Sequence, residues 1–391
     1  MIYFILGAQP DLSKAEIQAV LGDFRIVNES ESVLLIDSEE KNLGRLQDRL
    51  AGVVKVGHII GELTEYDERG AAELIAASAS AAMGKNKISY GLSVYDLGAG
   101  SATREIEQAS DSLGGEIKKL LKEMGRPVRY VTGKEPRLSS AIVETNGLLS
   151  SGGEYVLLVQ NNSILIGQTE AVQDFKAWSD RDYGRPARDK RSGMLPPKLA
   201  RMMINLSGID PNGASILDPF CGSGTVLMEG ALMGAATLIG SDISEKAVSD
   251  TQTNMAWLMK RFDLHAHDLQ LFTSPAAELS THYQNHVDMV VTEVYLGPQR
   301  TSPVDTHDAT MFEKKMLPLY EESLAGLKPL LKSDGVAVIA FPALKQKDGA
   351  WHRLPLNKIV SAKGYQLKNQ FLYARSGQLV ARDIVVLTCS P

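Results

Sequence analysis

Ile216-Leu-Asp-Pro-Phe-Cys-Gly-Ser-Gly-Thr225 is the stretch that decides the fold. Apolar Ile216 and Leu217 read as a buried strand, Asp218 closes it, and a glycine-rich turn then opens an amphipathic helix over 224–233. That order marks an open α/β sheet, whose ligands sit outside the carboxyl ends of the strands. Gly222 and Gly224 carry no Cβ, so a ligand can approach their backbone closely. The helix start adds unpaired N–H groups and the positive end of its dipole.

Downstream, strand and helix patterns alternate: 237–241, 244–259, 287–291, 312–330, 336–341, 357–362 and 384–387. Such alternation predicts a mostly parallel, doubly wound sheet. Upstream lies a small α/β module of about 60 residues, at the short end of domain sizes. A second module begins near Ala71 with a helix over 71–83, a strand over 87–95, a helix over 115–124 and a strand over 128–131. Tyr155–Gln160 and Ser163–Gln168 read as a hairpin around Asn161-Asn162. Charge-rich 174–193 reads as a linker.

The 391 residues carry a net charge of −6, which excludes a protein that coats nucleic acid by bulk charge but leaves room for a local basic face. Two cysteines, Cys221 and Cys389, are too few for a disulfide framework or a thiolate zinc site. A reducing, cytoplasmic setting is therefore expected. No apolar run approaches the ~18–20 residues of a membrane span, and Met1–Gly7 reads as a strand and turn, not a signal peptide. His265 and His267, with Asp268, have no further ligand at suitable spacing, so no metal is expected.

The glycine turn excludes two ligand classes. A P-loop needs Lys after its last glycine, and Thr225 stands there. A dinucleotide fingerprint needs a third glycine where Leu227 stands. S-adenosylmethionine (SAM) has no pyrophosphate to cradle; its tail and ribose suit an acid before the turn, Asp218, and another ending the next strand, Asp242. The expected cofactor contacts are Asp218, Pro219, Phe220, Cys221, Gly222, Ser223, Gly224 and Thr225, with Asp242 and Ile243.

Asp-Pro-Phe-Cys-Gly-Ser-Gly-Thr225 resembles the SAM motif of class I RNA N-methyltransferases that also carry an N-terminal THUMP domain. Arg185–Ala200, Met1–Leu21 and Arg382–Leu387 resemble the same family, so the likeness covers the whole chain. It is nearest to the archaeal and eukaryotic enzymes that methylate N2 of guanosine ten of tRNA. The resemblance implies a ferredoxin-like module over 1–65, a tRNA-gripping THUMP domain over 66–173 and, after a linker over 174–193, a Rossmann-like class I methyltransferase sheet over 194–391. It makes tRNA the partner, with no membrane involved.

The family's catalytic loop, Asp-Pro-Pro-Tyr or a close variant, ends the fourth strand. There an acid and a backbone carbonyl accept the amine's hydrogens while the aromatic stacks on the base. Here the strand ends in Thr292-Glu-Val-Tyr-Leu-Gly-Pro298: Tyr295 matches the aromatic, Thr292 stands where the acid should, and both prolines are lost. Glu293, one residue along, is the only carboxylate in the loop, so the expected catalytic set is Glu293, Tyr295 and Thr292. The acid that usually ends the third strand has no clear counterpart: Ser274 or Pro275 falls near it, and Asp268 is a weaker candidate. Neither cysteine is placed to act as a nucleophile.

Two clusters supply local positive charge. Between Arg181 and Arg201 seven basic residues face two acids, and between Glu116 and Arg137 seven face three. From these, Lys134, Arg137, Arg185, Arg188 and Lys198 are expected to touch RNA phosphates. Two alternatives stand beside the tRNA reading: a SAM- and RNA-binding paralogue without catalysis, and a methyltransferase of rRNA or DNA.

Overall fold

The computed structural model describes residues 1–82, 87–161, 163–188, 194–264 and 267–389. Asn162 and His265 lie outside these, as do residue 83 of the expected helix and residues 189–191 of the first basic cluster. The chain divides into two compact units, one of Met1–Lys14 and Asp23–Lys176, the other of Ala15–Gly22 and Ala177–Pro391.

In chain order the elements run β1 (Ile2–Leu6), α1 (Pro10–Leu21), β2 (Arg25–Glu29), β3 (Val33–Asp37), α2 (Leu43–Arg49), β4 (Val53–Leu63) and α3 (Glu68–Ala82), all in the first unit except the part of α1 from Ala15 on. There follow β5 (Ile88–Asp96), α4 (Ser101–Glu123), β6 (Val128–Val131), α5 (Ser140–Thr145), α6 (Leu148–Ser151), β7 (Gly152–Val159) and β8 (Ile164–Val172). The expected hairpin forms, with Tyr155 opposite Gln168 and Val159 opposite Ile164. One eight-stranded sheet, in the order β2-β3-β1-β4-β8-β7-β5-β6, runs through residues assigned above to two modules, because β4 pairs with β8. The 23 residues of α4 bury Ile106, Leu113, Ile117 and Leu121, at helical spacing, and leave Lys118, Lys119 and Lys122 exposed.

The expected linker is structured over its first half. Helix α7 (Phe175–Ser179) runs into a π-helical turn, Asp180–Gly184. Trp178, Arg181 and Arg185 are buried there, so the charges that suggested a solvated tether serve packing.

The second unit continues with α8 (Pro197–Leu206), β9 (Ser215–Asp218), α9 (Thr225–Leu232), β10 (Thr237–Asp242), α10 (Glu245–Phe262), β11 (Asp268–Thr273) and β12 (Val287–Glu293). It ends with α11 (Thr306–Leu327), β13 (Leu331–Lys345), β14 (Trp351–Arg353), α12 (Leu356–Ala362), β15 (Tyr365–Tyr373) and β16 (Val380–Cys389). The sheet order is β11-β10-β9-β12-β13-β16-β15, with β14 on β13. Strands from β11 to β13 are parallel, and β16 and β15 close the sheet antiparallel. Leu217, Ile239, Val290 and Ile339, one from each neighbouring strand, are buried in one core. At roughly 1.5–3 kcal/mol for each fully buried side chain, such rows fix the register of the strands.

The order of the strands positions the site. The chain walks outward from β9 to β10 to β11, then returns to lay β12 on the other side of β9. The crevice where the direction reverses opens at the carboxyl ends of β9 and β12, the usual ligand position in such sheets.

Candidate active site

Asp218 ends β9 inside that crevice and is almost fully buried. Its Oδ1 accepts from Thr292 Oγ1 at 2.6 Å and from the Phe220 N–H at 3.2 Å. Burial, aided by the charges of Asp242 and Glu293, pushes its carboxyl up to about 7, against the pull of the two hydrogen bonds.

The glycine loop then turns back over β10. Gly222 and Gly224 have φ of 51° and 82°, values that favour glycine. A Cβ on Gly224 would come within 2.8 Å of Thr251 Cγ2, whereas one on Gly222 would meet nothing within 4 Å. The loop is thus packed on one side and open on the other. Helix α9 begins at Gly224 without a side-chain cap, so its first N–H groups remain for a ligand. Cys221 faces Thr251, and burial raises its thiol far above the usual range, which removes it as a nucleophile.

Asp242 ends β10. Its Oδ2 accepts from the Gly222 N–H at 3.1 Å and its Oδ1 from the Ser244 N–H at 3.0 Å. The carboxylate therefore braces the glycine loop and the start of α10, and each oxygen keeps a lone pair. Ile243 beside it is 76% exposed, an apolar surface next to a carboxylate at the mouth of the crevice. The open side of Gly222, the uncapped helix start, Asp242 and Ile243 together fit SAM: donors for its carboxylate, an acceptor for its ribose and an apolar face for its base.

The third strand carries no matching acid. Thr273 of β11 lies opposite Asp242, and Ser274 follows, buried, with its N–H on the Asp242 carbonyl. Asp268 pairs with Thr237 at the other end of the strands, which removes it as an adenine contact.

Strand alternation sorts the loop after β12. Burial alternates there: Thr292 and Val294 are buried, whereas Glu293 is partly exposed and Tyr295 exposed. Thr292 is fully buried, with its hydroxyl on Asp218, so it braces the site and touches no substrate. Glu293 forms an ion pair with Arg382 of β16, and both side chains are mostly buried. Tyr295 is 51% exposed while its carbonyl accepts from Tyr320 Oη at 2.8 Å, so the loop is anchored and the ring is free to stack.

The basic residues before the loop are placed differently from expectation. Arg185 is buried, donates to Thr225 Oγ1 at 2.7 Å and contacts Met194 Sδ at 3.2 Å. It supports the glycine loop and does not face RNA. Arg181 and Arg201 flank buried Glu229 and lie over Trp178 at 4.0 and 5.0 Å. Arg188 stacks at 5.3 Å over exposed Tyr183, and Lys198 lies 5.7 Å over Trp178. In the first unit Lys134 is exposed on its loop, whereas Arg137 is held by the Val94 carbonyl and by Tyr95. Among the described residues, no His, Cys, Asp and Glu cluster is arranged to hold a metal. No helix among them is long and apolar enough to cross a membrane.

Residues 185–365 match the family described as RMKL-like, methyltransferase domain, and residues 115–253 match a DNA methylase family. The tRNA (guanine(10)-N2)-dimethyltransferase of Methanothermobacter thermautotrophicus is 25% identical over 346 residues, 88% of each chain. A probable tRNA (guanine(10)-N2)-dimethyltransferase of Methanothermococcus thermolithotrophicus is 31% identical over 147 residues, 37% of this chain and 78% of that one. The chain belongs to the tRNA (guanine(10)-N2)-dimethyltransferase family. The fold agrees: the crystal structure of TrmN from Thermus thermophilus superposes over 100% of both chains with a TM-score of 0.55 at 16% identity.

Membership in the tRNA (guanine(10)-N2)-dimethyltransferase family makes the departures at the site informative. Sequence reasoning missed Arg382, Thr251 and Asn254. The signal for the last two was legible: they occupy buried positions of α10 with Met255 and Leu258, at spacing 0, 3, 4 and 7, where apolar residues are the rule.

Proposed function

We propose that this chain is a SAM-dependent methyltransferase acting on the exocyclic N2 amine of a guanosine in tRNA. The observation that carries the reading is the open glycine loop with Asp242 at the sheet's switch point, next to the end of β12 that carries Glu293 and is followed by half-exposed Tyr295. When bound, SAM supplies an electrophilic methyl on a sulfonium. The chain's residues do the rest by positioning. Glu293, held by Arg382, accepts a hydrogen bond from the amine and turns the nitrogen lone pair toward the methyl. Tyr295 stacks on the flipped base. As the N–C bond forms and the methyl's bond to sulfur breaks, leaving a neutral thioether, the amine becomes cationic and would release a proton toward the Glu293 carboxylate. Thr292 and Asp218 hold the ends of β9 and β12 together beneath.

The first unit is read as a ferredoxin-like module over 1–65 and a THUMP domain over 66–173. The exposed lysines of α4, which line a shallow depression with Gly115 and Glu123, support a phosphate-binding role, as does Lys134. Arg188 and Lys198 are kept as RNA contacts of the second unit, and a cytoplasmic location suits a tRNA-modifying enzyme with two free cysteines.

Incubating the protein with SAM and unmodified tRNA, then digesting to nucleosides for mass spectrometry, tests the reading. Methylated guanosine with an N2 mass signature is expected. Methyl transfer to rRNA or DNA alone, or to nothing despite SAM and tRNA binding, would refute it.

A further inference from the structure

The face of α10 that looks at the glycine loop is polar where a helix on a core is normally apolar. Thr251 and Asn254, three residues apart and therefore on one side of the helix, are both fully buried. Thr251 Oγ1 donates to the Gly222 carbonyl at 2.9 Å. Asn254 Nδ2 donates to the Ser223 carbonyl at 2.8 Å. The same amide binds the segment before the loop on both sides, with Nδ2 on the Ala187 carbonyl and Oδ1 on the Ala187 N–H, each at 2.9 Å. Two residues earlier in that segment, Arg185 holds Thr225.

Burying a hydroxyl and an amide is unfavourable unless each meets a partner. Here the partners are consecutive loop carbonyls, that of Gly222 part-buried and that of Ser223 buried. With both carbonyls drawn toward α10, the trans Gly222–Ser223 peptide turns the Ser223 N–H the other way. Apolar residues at 251 and 254 would pack the helix equally well and would leave the loop's direction unset.

We infer that Thr251 and Asn254 are positioning residues for the cofactor: they hold residues 221–225 in the conformation that receives SAM, and Asn254 fastens the 185–188 segment to that loop. The inference rests on the reading of the loop as the SAM site.

The test uses the full-length protein, with the SAM dissociation constant from titration calorimetry and kcat and KM from methyl transfer to tRNA. Thr251→Val keeps the shape and removes the donor. It should weaken SAM binding and raise KM for SAM by about tenfold, the scale of one unmade hydrogen bond. KM for tRNA and kcat at saturating SAM should stay within about twofold, since neither residue touches the reacting atoms. Thr251→Ser, which keeps the donor, should restore near-normal affinity. Asn254→Ala should act in the same direction, and Thr251→Val carries the test if that variant fails to fold. Unchanged SAM affinity in Thr251→Val, whatever its melting temperature, overturns the inference alone. So does a Thr251→Ser protein as weak as Thr251→Val. A wild type that binds no SAM overturns both the inference and the reading of the loop.

Discussion

Thr292 Oγ1 donates to Asp218 Oδ1 across 2.6 Å and ties the carboxyl ends of β9 and β12 together in a buried pair. An acid at position 292, where the catalytic loop of the family that the chain resembles carries one, would have set two carboxylates side by side without solvent. A hydroxyl donates where a second carboxylate would repel. In the proposed mechanism the acid's task passes to Glu293, which pairs with Arg382.

Restoring the acid at position 292 should therefore harm this protein. Thr292→Asp buries a second carboxylate against Asp218, at a cost of about 3–5 kcal/mol, the scale of an uncompensated buried charge. Differential scanning calorimetry should show a fall of about 10 °C in the second unit's transition. The fall should be larger at pH 8 than at pH 6, because at the lower pH the pair can share a proton.

Asp218, with its carboxyl at about 7, should release protons when SAM binds. A cationic ligand favours the carboxylate and lowers that value, so near pH 7 up to about half a proton should leave per SAM bound. Calorimetric heats should then differ between buffers of different ionisation enthalpy, and the difference should vanish near pH 9. The sign for the free protein is opposite to that of a paired acid. Folded Asp218 keeps its proton up to about pH 7 and the unfolded residue loses it near 4, so its contribution to stability falls as pH rises through that window.

Removing the proposed amine acceptor should cost rate. Glu293→Gln should lower kcat by about 10²–10³, by analogy with deleting one positioned hydrogen-bond partner of a transition state. Tyr295→Ala should weaken base stacking by about 1–3 kcal/mol, while Tyr295→Phe keeps the ring. Labelled methyl incorporation into tRNA measures both. A Glu293→Gln enzyme with normal kcat would show that another group orients the amine.

The two basic clusters should behave differently on mutation. Replacing Lys118, Lys119 and Lys122 with Gln should weaken tRNA binding. Its dependence on log salt should become shallower by roughly 0.7–0.9 for each phosphate that is no longer neutralised. Arg185→Gln should leave that slope unchanged and instead lower thermal stability and SAM affinity, because this guanidinium is buried against Thr225. Filter binding of tRNA across a salt series, with melting curves alongside, separates the two.

Much of the candidate site was proposed from residues 216–225 and Asp242, since a glycine turn after a strand-end acid is a local pattern that needs only its neighbours. The role of Thr292 was not, because its partner Asp218 is 74 residues away in sequence. Arg185 misled for the same reason: sequence displays its charge, and only the packed chain shows that charge buried against Thr225. The expected linker failed alike, since Trp178 becomes the stacking surface for Arg181 and Arg201 only when Glu229 is brought between the two guanidinium groups.

By itself, then, the sequence determined the α/β class and the strand–turn–helix at which a cofactor site is proposed. These rest on periods of two and 3.6 residues and on the freedom of glycine, all properties of a short stretch of chain. The tertiary structure alone decided which charges face solvent and which carboxylate meets Thr292 or Arg382. It also gave the polar face of α10 its loop. Each of those depends on groups far apart in sequence brought within hydrogen-bonding distance, where burial turns a surface charge into a structural one and raises the carboxyl of Asp218.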